Sequence, residues 1–237
     1  MGALDDLLVV QEHDSAADRL RHRLETLAER ARLVEVEGTM ASLGAGRGEV
    51  GGRREEVARR QQRVEDELAS LETKIKDLDR RLYSGTITAP RELQAMQADV
   101  QSLKRHQSEL EDQVLSAMQD AEPLDAELGR LDEQLAELES EAERLRQTIA
   151  ESTESIDAEL AAESEARSTA AAAVPPDLMS QYERLRSKLA GVGAARLVGN
   201  SCGGCHLALP ATELDRIRHQ PPDTVVMCDQ CGRILVR

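Results

Sequence analysis

The residues best placed to do chemistry are Cys202, Cys205, Cys228 and Cys231, two C-x2-C pairs with 22 residues between them. Two residues between thiolates make a tight turn with both sulfurs on one side, so each pair can grip one metal ion. Four thiolates at about 2.3 Å give a closed tetrahedral zinc site with no position left for a reacting water. The pattern predicts one structural Zn2+ that contributes to folding and performs no reaction. Gly203, Gly204 and Gly232 relieve the backbone where it wraps the ion. The alternatives are two disulfides or a redox pair. The N-terminus MGALDDLLVV has no basic leader, which argues against a secreted, disulfide-forming chain. A redox C-x-x-C normally accompanies a βαβ pattern, and none is present. His206 and His219 could each replace a thiolate, but with four cysteines correctly spaced they read as solvent-facing or outer histidines.

Strand-like pieces surround the cysteines: Ala195–Val198, Thr224–Met227 and Ile234–Val236. A ribbon this small cannot build its own core, so the metal substitutes for one. The ribbon follows Val174-Pro175-Pro176, where the prolines end any helix arriving from the left. Charge changes there too: residues 1–173 carry net −17 and residues 174–237 net +2, within a total of −15. The sequence thus divides into 1–173, a helical domain, and 174–237, a short linker helix and zinc ribbon.

In the first part Ala, Glu, Lys, Leu and Arg dominate, the composition of long helices. Val57, Val64, Leu68, Leu71, Ile75, Leu78 and Leu82 fit one seam of alternating three- and four-residue steps, with Gln61 as a polar intrusion. A second seam runs from Leu93 through Met96, Val100, Leu103 and Leu110 to Ile156 in one register. Nine heptads without a skip mark a coiled coil with a left-handed supercoil. Leu82-Tyr83-Ser84-Gly85-Thr86-Ile87-Thr88-Ala89-Pro90 separates the seams; Gly85 supplies a turn and Pro90 suits a helix start. Near-equal arms, about 4–82 and 91–167, predict an antiparallel hairpin with its tip at 83–90 and a length on the order of 110 Å. A parallel homodimer is the alternative, and it would have to run through the Gly-Pro loop. Leu20, Leu24, Leu27, Ala31 and Val34 show a similar spacing that does not carry through to Val57. Gly38, Gly44, Gly46, Gly48, Gly51 and Gly52 crowd the gap, and each costs about 1 kcal/mol in a helix interior. A weakened, bent helix is expected there, and a kink at Pro123. The fold class is mainly α: a long antiparallel coiled-coil hairpin with a small C-terminal β-rich zinc ribbon.

The segments LYSGTITAPRELQAMQADVQSLKRHQSELED (82–112), SCGGCHLALP and CDQCGRILVR, joined by a short helix at 176–186, resemble the bacterial coiled-coil/four-cysteine zinc-ribbon family. The resemblance spans the whole architecture and implies the hairpin-plus-ribbon fold. One branch of that family is a flagellar regulator that binds a flagellin transcript and a sigma factor. Membership therefore implies binding to RNA or to a transcription-related protein, more weakly than it implies the fold. The Gly-rich stretch looks like a departure from the family.

Charge locates candidate contacts. Lys74, Lys76, Arg80, Arg81, Arg91, Lys104 and Arg105 make the hairpin tip locally basic, whereas 107–165 holds 19 acidic and 3 basic residues. Arg196, Arg216, Arg218, Arg233 and Arg237 could give the ribbon a modest phosphate-binding face. These twelve are the candidate nucleic-acid or partner-binding residues. Solvated coiled-coil flanks explain much of the pattern without function, and net −15 opposes nonspecific attraction to nucleic acid. With no Phe, no Trp and two Tyr, a stacking platform for bases is not expected. The expectation is a non-catalytic adaptor binding nucleic acid, RNA ahead of DNA, and/or a transcription-related protein, with regulation as its role; a protein-interaction scaffold with no nucleic-acid binding is the alternative. No phosphate loop or nucleophile–base arrangement indicates an enzyme, so no catalytic residue and no small-molecule substrate is expected. No apolar run is long enough to span a membrane, and a cytoplasmic protein is expected.

Overall fold

The computed structural model describes residues 2–85, 87–221 and 223–237; Thr86, in the expected tip loop, lies outside them. The order is α1 (Ala3–Glu25), α2 (Ala28–Leu82), α3 (Pro90–Ala171), α4 (Pro176–Lys188), β1 (Ala194–Val198), β2 (Ser201–Cys202), α5 (Ala211–His219), β3 (Val226–Met227) and β4 (Ile234–Val236). Helices dominate, with the strands confined to the C-terminal region, as expected. Contacts divide the chain into two compact units, 1–32 with 145–237, and 33–144. In the first of these the ribbon packs on α1 and α4.

The unit of residues 33–144 is an antiparallel pairing of α2 with α3. Every apolar seam position named above is buried or half-buried, with Leu71, Ile75 and Leu110 forming a core against Val64, Leu68 and Leu103. Leu115 and Met118, which fall outside the seam, are exposed. α3 stays helical through Pro123, whose ring faces solvent, so the missing donor and the bulk are taken on the outer side.

The Gly-rich stretch departs from expectation. α2 is one continuous helix through residues 38–52, and a Cβ added at any of the six glycines would meet nothing within 4 Å. The interruption falls earlier, at Thr26 and Leu27, where Thr26 donates its backbone N–H and its hydroxyl to the carbonyl of His22 (3.0 and 2.7 Å). That break changes the phase. The register of Leu20 to Val34 is not the buried one in α2, and Val34 is 70% exposed. The buried line instead runs Val36, Met40, Leu43, Val50, Val57, with Arg47 and Arg54 at the seam spacings between them.

Those two arginines reach across to α3. Arg54 Nε donates to Asp125 Oδ1 at 2.7 Å, and Arg47 pairs with Asp132, whose carboxyl that hydrogen bond holds below the usual range. Arg60 pairs with Asp120, and Arg53 with Glu127 at 3.4 Å. Seven residues along α2 match seven back along α3, the signature of an antiparallel heptad pairing. These pairs are exposed, so they set register more than they add stability.

In the other unit the ribbon is docked. Ala194 of β1 and Ile234 and Val236 of β4 share a core with Leu4, Leu7, Leu8 and Val10 of α1, and with Val174, Leu178 and Tyr182. The sheet order is β2-β1-β4-β3, with β1 and β4 parallel and the outer pairs antiparallel. A second core, Leu209, Leu214, Ile217, Val226 and Leu235, seats α5. α1 adds a buried polar network. The Gln11 Oε1 accepts from the N–H groups of Gly193 (2.7 Å) and Ala194 (3.2 Å), and its Nε2 donates to the Gly191 carbonyl at 3.0 Å. Asp14, only 6% exposed, accepts from Tyr182 Oη (2.7 Å) and Arg167 Nε (2.8 Å), and pairs with Arg186 at 3.4 Å. Burial and the Asp14 contact push the Tyr182 hydroxyl well above its ordinary range, so it stays a donor.

Two stability outcomes follow from this packing. Gly44→Ala and Gly48→Ala should each stabilise by roughly 0.5–1 kcal/mol, because the backbone is helical and the space is open. Asp14→Ala should destabilise by about 1–3 kcal/mol, because it leaves the buried Tyr182 hydroxyl without its acceptor, whereas Arg167 keeps Glu183 and Arg186 keeps Asp18. Urea unfolding followed by circular dichroism measures both.

Candidate metal centre

Two short knuckles converge. In the first, Cys202 N–H donates to the Leu207 carbonyl (3.1 Å), His206 N–H to the Cys202 carbonyl (2.7 Å) and Gly203 N–H to the Arg196 carbonyl (2.9 Å). In the second, Gly232 N–H donates to the Cys228 carbonyl (2.7 Å) and Cys228 N–H to the Arg233 carbonyl (2.8 Å). Each knuckle turns its two sulfurs toward the other. Gly232 adopts φ +71, in the left-handed region that favours glycine. At Gly204 a Cβ would lie 2.5 Å from Arg233 Cδ and 3.1 Å from Ala195 Cβ, and at Gly203 it would meet the Arg196 carbonyl oxygen at 2.8 Å. The first two glycines are required by close approach, the third by conformation.

The four sulfurs all lie within 4.8 Å of one another. Cys202 and Cys231 sulfurs are 3.9 Å apart, and those of Cys205 and Cys228 are 4.0 Å apart. These separations are too long for disulfides. They suit a tetrahedral ion with sulfurs at 2.3 Å, for which the edge is about 3.8 Å. All four cysteines are free, and the site is one for a single structural zinc ion. His206 and His219 are both exposed and outside the cluster.

The protein environment treats the four thiols unequally. Burial pushes Cys202 up, and Cys228 up to about 12. Burial opposes ionisation of Cys231 as well, but the backbone and guanidinium of Arg233 and the neighbouring thiols bring it down to about 7. Arg233 also donates from Nε to the Val192 carbonyl (2.9 Å) and from Nη2 to the Leu189 carbonyl (3.2 Å), just past α4. One side chain therefore covers the first knuckle, favours a thiolate in the second, and ties both to the end of α4.

The other expected binding residues fall into three groups. Arg233 and Arg237 serve the fold: Arg237 donates to the carbonyls of Ile217 (2.6 Å), Gln220 (2.8 Å) and Pro221 (2.6 Å), closing the C-terminal end of α5. Lys76, Arg80, Lys104, Arg196 and Arg216 face carboxylates, of Glu72 (3.6 Å), Asp77 (3.1 Å), Asp79 (3.4 Å), Asp5 (3.9 Å) and Glu213 (3.1 Å). Among the described residues, Lys74, Arg81, Arg91, Arg105 and Arg218 are exposed and have no carboxylate within ion-pair distance.

Sequence reasoning missed α5, the fold roles of Arg233 and Arg237, and the buried Gln11 and Asp14. A signal for the last two existed. Leu4, Leu7, Leu8, Gln11 and Asp14 continue one helical stripe, so a polar residue sits where the apolar face should go on.

Comparison with known proteins agrees with this architecture. The CT398-like coiled coil hairpin domain matches residues 10–190, and the C4-type zinc ribbon domain matches residues 201–235. The chain is similar to Rv2229c, an uncharacterized protein of Mycobacterium tuberculosis, with 30% identity over 98% of this chain and 94% of the relative. A solved structure from Mycobacterium smegmatis is 29% identical over the full length of both chains, with a TM-score of 0.70. CT398 from Chlamydia trachomatis, 22% identical over 99% and 97% of the two chains with a TM-score of 0.65, shares the fold. So does HP0958 from Helicobacter pylori, 17% identical over 100% and 98%, with a TM-score of 0.53. Neither matched domain is a catalytic family.

Arg233→Ala should speed transfer of zinc to a chromogenic chelator several-fold, with Arg233→Lys restoring part of the retention. Gly204→Ala should lower retention further, because it drives a methyl group into Arg233. Zinc release as fast as in the unaltered protein would show that Arg233 has no hold on the site.

Proposed function

Because the chain belongs to the CT398-like coiled-coil hairpin family and ends in a C4-type zinc ribbon, we propose that it is a non-catalytic adaptor that binds RNA. The closed set of four thiolates supports binding over chemistry, since it leaves no coordination position for a substrate. The observation that carries the choice of ligand is the division of the cations. Of the twelve cations singled out in the sequence, five have no carboxylate partner, and four of these, Lys74, Arg81, Arg91 and Arg105, lie along residues 74–105 on the two helices joined by the hairpin turn. The ribbon keeps only Arg218 in that condition. RNA contact is therefore assigned chiefly to the hairpin end, with the ribbon as a zinc-stabilised base for α1, α4 and the end of α3.

A protein partner is the second reading. Leu115 and Met118, exposed one helical turn apart on α3 and outside the seam, are the observation that favours it.

Fluorescence anisotropy with a labelled single-stranded RNA at two salt concentrations tests the first reading. Replacing Lys74, Arg81, Arg91 and Arg105 together with Gln should weaken binding and make the log–log salt dependence shallower by up to roughly three. Replacing Arg196, Arg216 and Arg218 should have the smaller effect. A flat titration of the unaltered protein at low salt would overturn the RNA reading and leave the protein-partner one standing.

A further inference from the structure

Aromatic side chains are scarce here, and the two that exist are used in opposite ways. Tyr182 is fully buried, with its hydroxyl held by Asp14. Tyr83 is 83% exposed, the most exposed large hydrophobic residue among those described. A tyrosine gains nothing for the fold in that position, since its ring rests on no core. Its backbone is nonetheless fixed: the Tyr83 N–H donates to the Asp79 carbonyl at 3.1 Å, continuing the last turn of α2. The next residue is tied back as well, with both the N–H and the hydroxyl of Ser84 donating to the Arg81 carbonyl (3.3 and 2.8 Å). The ring is therefore presented from a backbone that continues the end of α2.

Its surroundings are cationic. Arg80 and Arg81 lie within three residues on the same helix end, and Arg91 lies in the first turn of α3, just after the turn. Arg80 is paired with Asp77, whereas Arg81 and Arg91 carry no carboxylate partner. An exposed aromatic ring at a helix end whose flanking sequence carries guanidinium groups without a carboxylate partner suits a ligand with flat rings spaced along a phosphate backbone. In a duplex the bases are stacked on one another and offer no free face, so the ligand must have unpaired bases.

We infer that the C-terminal end of α2 is a contact site for single-stranded nucleic acid, in which an unpaired base stacks on Tyr83 while Arg81 and Arg91, on either side of it in the chain, hold neighbouring phosphates. This rests on the RNA-binding reading above and sharpens it to one residue and one strand state. The sparse aromatic composition argues against a stacking platform; a single tyrosine supports one base and no more.

The test uses full-length zinc-loaded protein, with Tyr83→Ala and Tyr83→Phe variants. The probes are a labelled 20-nucleotide single-stranded RNA, the DNA strand of the same sequence, and the corresponding RNA duplex. Unaltered protein should bind the single strands more tightly than the duplex. Tyr83→Ala should weaken single-strand binding by roughly five- to a hundredfold, leaving the duplex within about twofold, and Tyr83→Phe should keep most of the affinity. Without tryptophan, intrinsic tyrosine emission reports the contact directly: the single strand should quench it, and Tyr83→Ala should remove the quenching. Unchanged single-strand affinity in Tyr83→Ala would overturn the stacking inference while leaving the cation reading in place. Absence of binding to every probe would overturn both. The RNA and DNA strands together report whether the site distinguishes the sugar. Because Tyr83 is 83% exposed and belongs to no core cluster among the described residues, all variants should give the unaltered circular dichroism spectrum and zinc content.

Discussion

A domain of about forty residues cannot remove enough apolar surface from water to fold alone, and the structure of the C-terminal region follows from that deficit. Two supports meet it. Four thiolates replace part of a core with metal–sulfur bonds, and the far face of the sheet is closed by α1 and α4. β4 belongs to both arrangements. It follows the second knuckle directly, Leu235 faces the zinc-side cluster, and Ile234 and Val236 face α1. Alternation along three residues joins the metal to the helices. Metal occupancy and helix docking are therefore coupled through one short strand, with Arg233 as a second tie. Zinc acts here as an element of packing.

The α2–α3 unit answers a different constraint. Two long helices can keep one face together only if their apolar residues recur every 3.5 positions, and a single register serves Leu93 to Ile156. In α2 the same register is kept where apolar side chains are missing. Arg47 and Arg54 occupy seam spacings and turn outward to Asp132 and Asp125. The glycines near them point to open space, so their effect is to lower helix propensity without making room for anything in the described residues. Period carries this stretch, and composition does not.

What could be read from the sequence follows from how locally each feature is determined. C-x2-C spacing fixes a ligand set within four residues, and a heptad repeat announces itself many times over, so the zinc site and the hairpin seams were legible. The phase of α2 was not. Leu20 to Val34 makes a good heptad, and only the break at Thr26 and Leu27, which looks unremarkable in sequence, sets it off from the buried line through Val36 and Val50. Nor could sequence show that Arg233 and Arg237 reach backbone carbonyls. A basic residue beside a zinc knuckle looks the same whether it faces a phosphate or its own helix end. Only the positions of Val192, Leu189 and Ile217 decide it.

That distinction governs how charge should be read across the molecule. With net −15, the chain as a whole repels a polyanion, and a count of lysines and arginines overstates what is left to attract one. A guanidinium donating to two or three carbonyls keeps its charge but has few donors left, and moving it would open the fold. A lysine beside an aspartate contributes a dipole more than a charge at distances beyond the screening length of roughly 8 Å. After both deductions, four of the five candidate cations that remain lie along residues 74–105, the stretch of sequence that also carries the exposed Tyr83. A polyanion is then attracted over short range only, at a point, and any selectivity must come from what that point can touch. This is the physical regime in which a single stacked base matters: long-range attraction is weak, so a local contact of 1–3 kcal/mol decides binding instead of merely adjusting it.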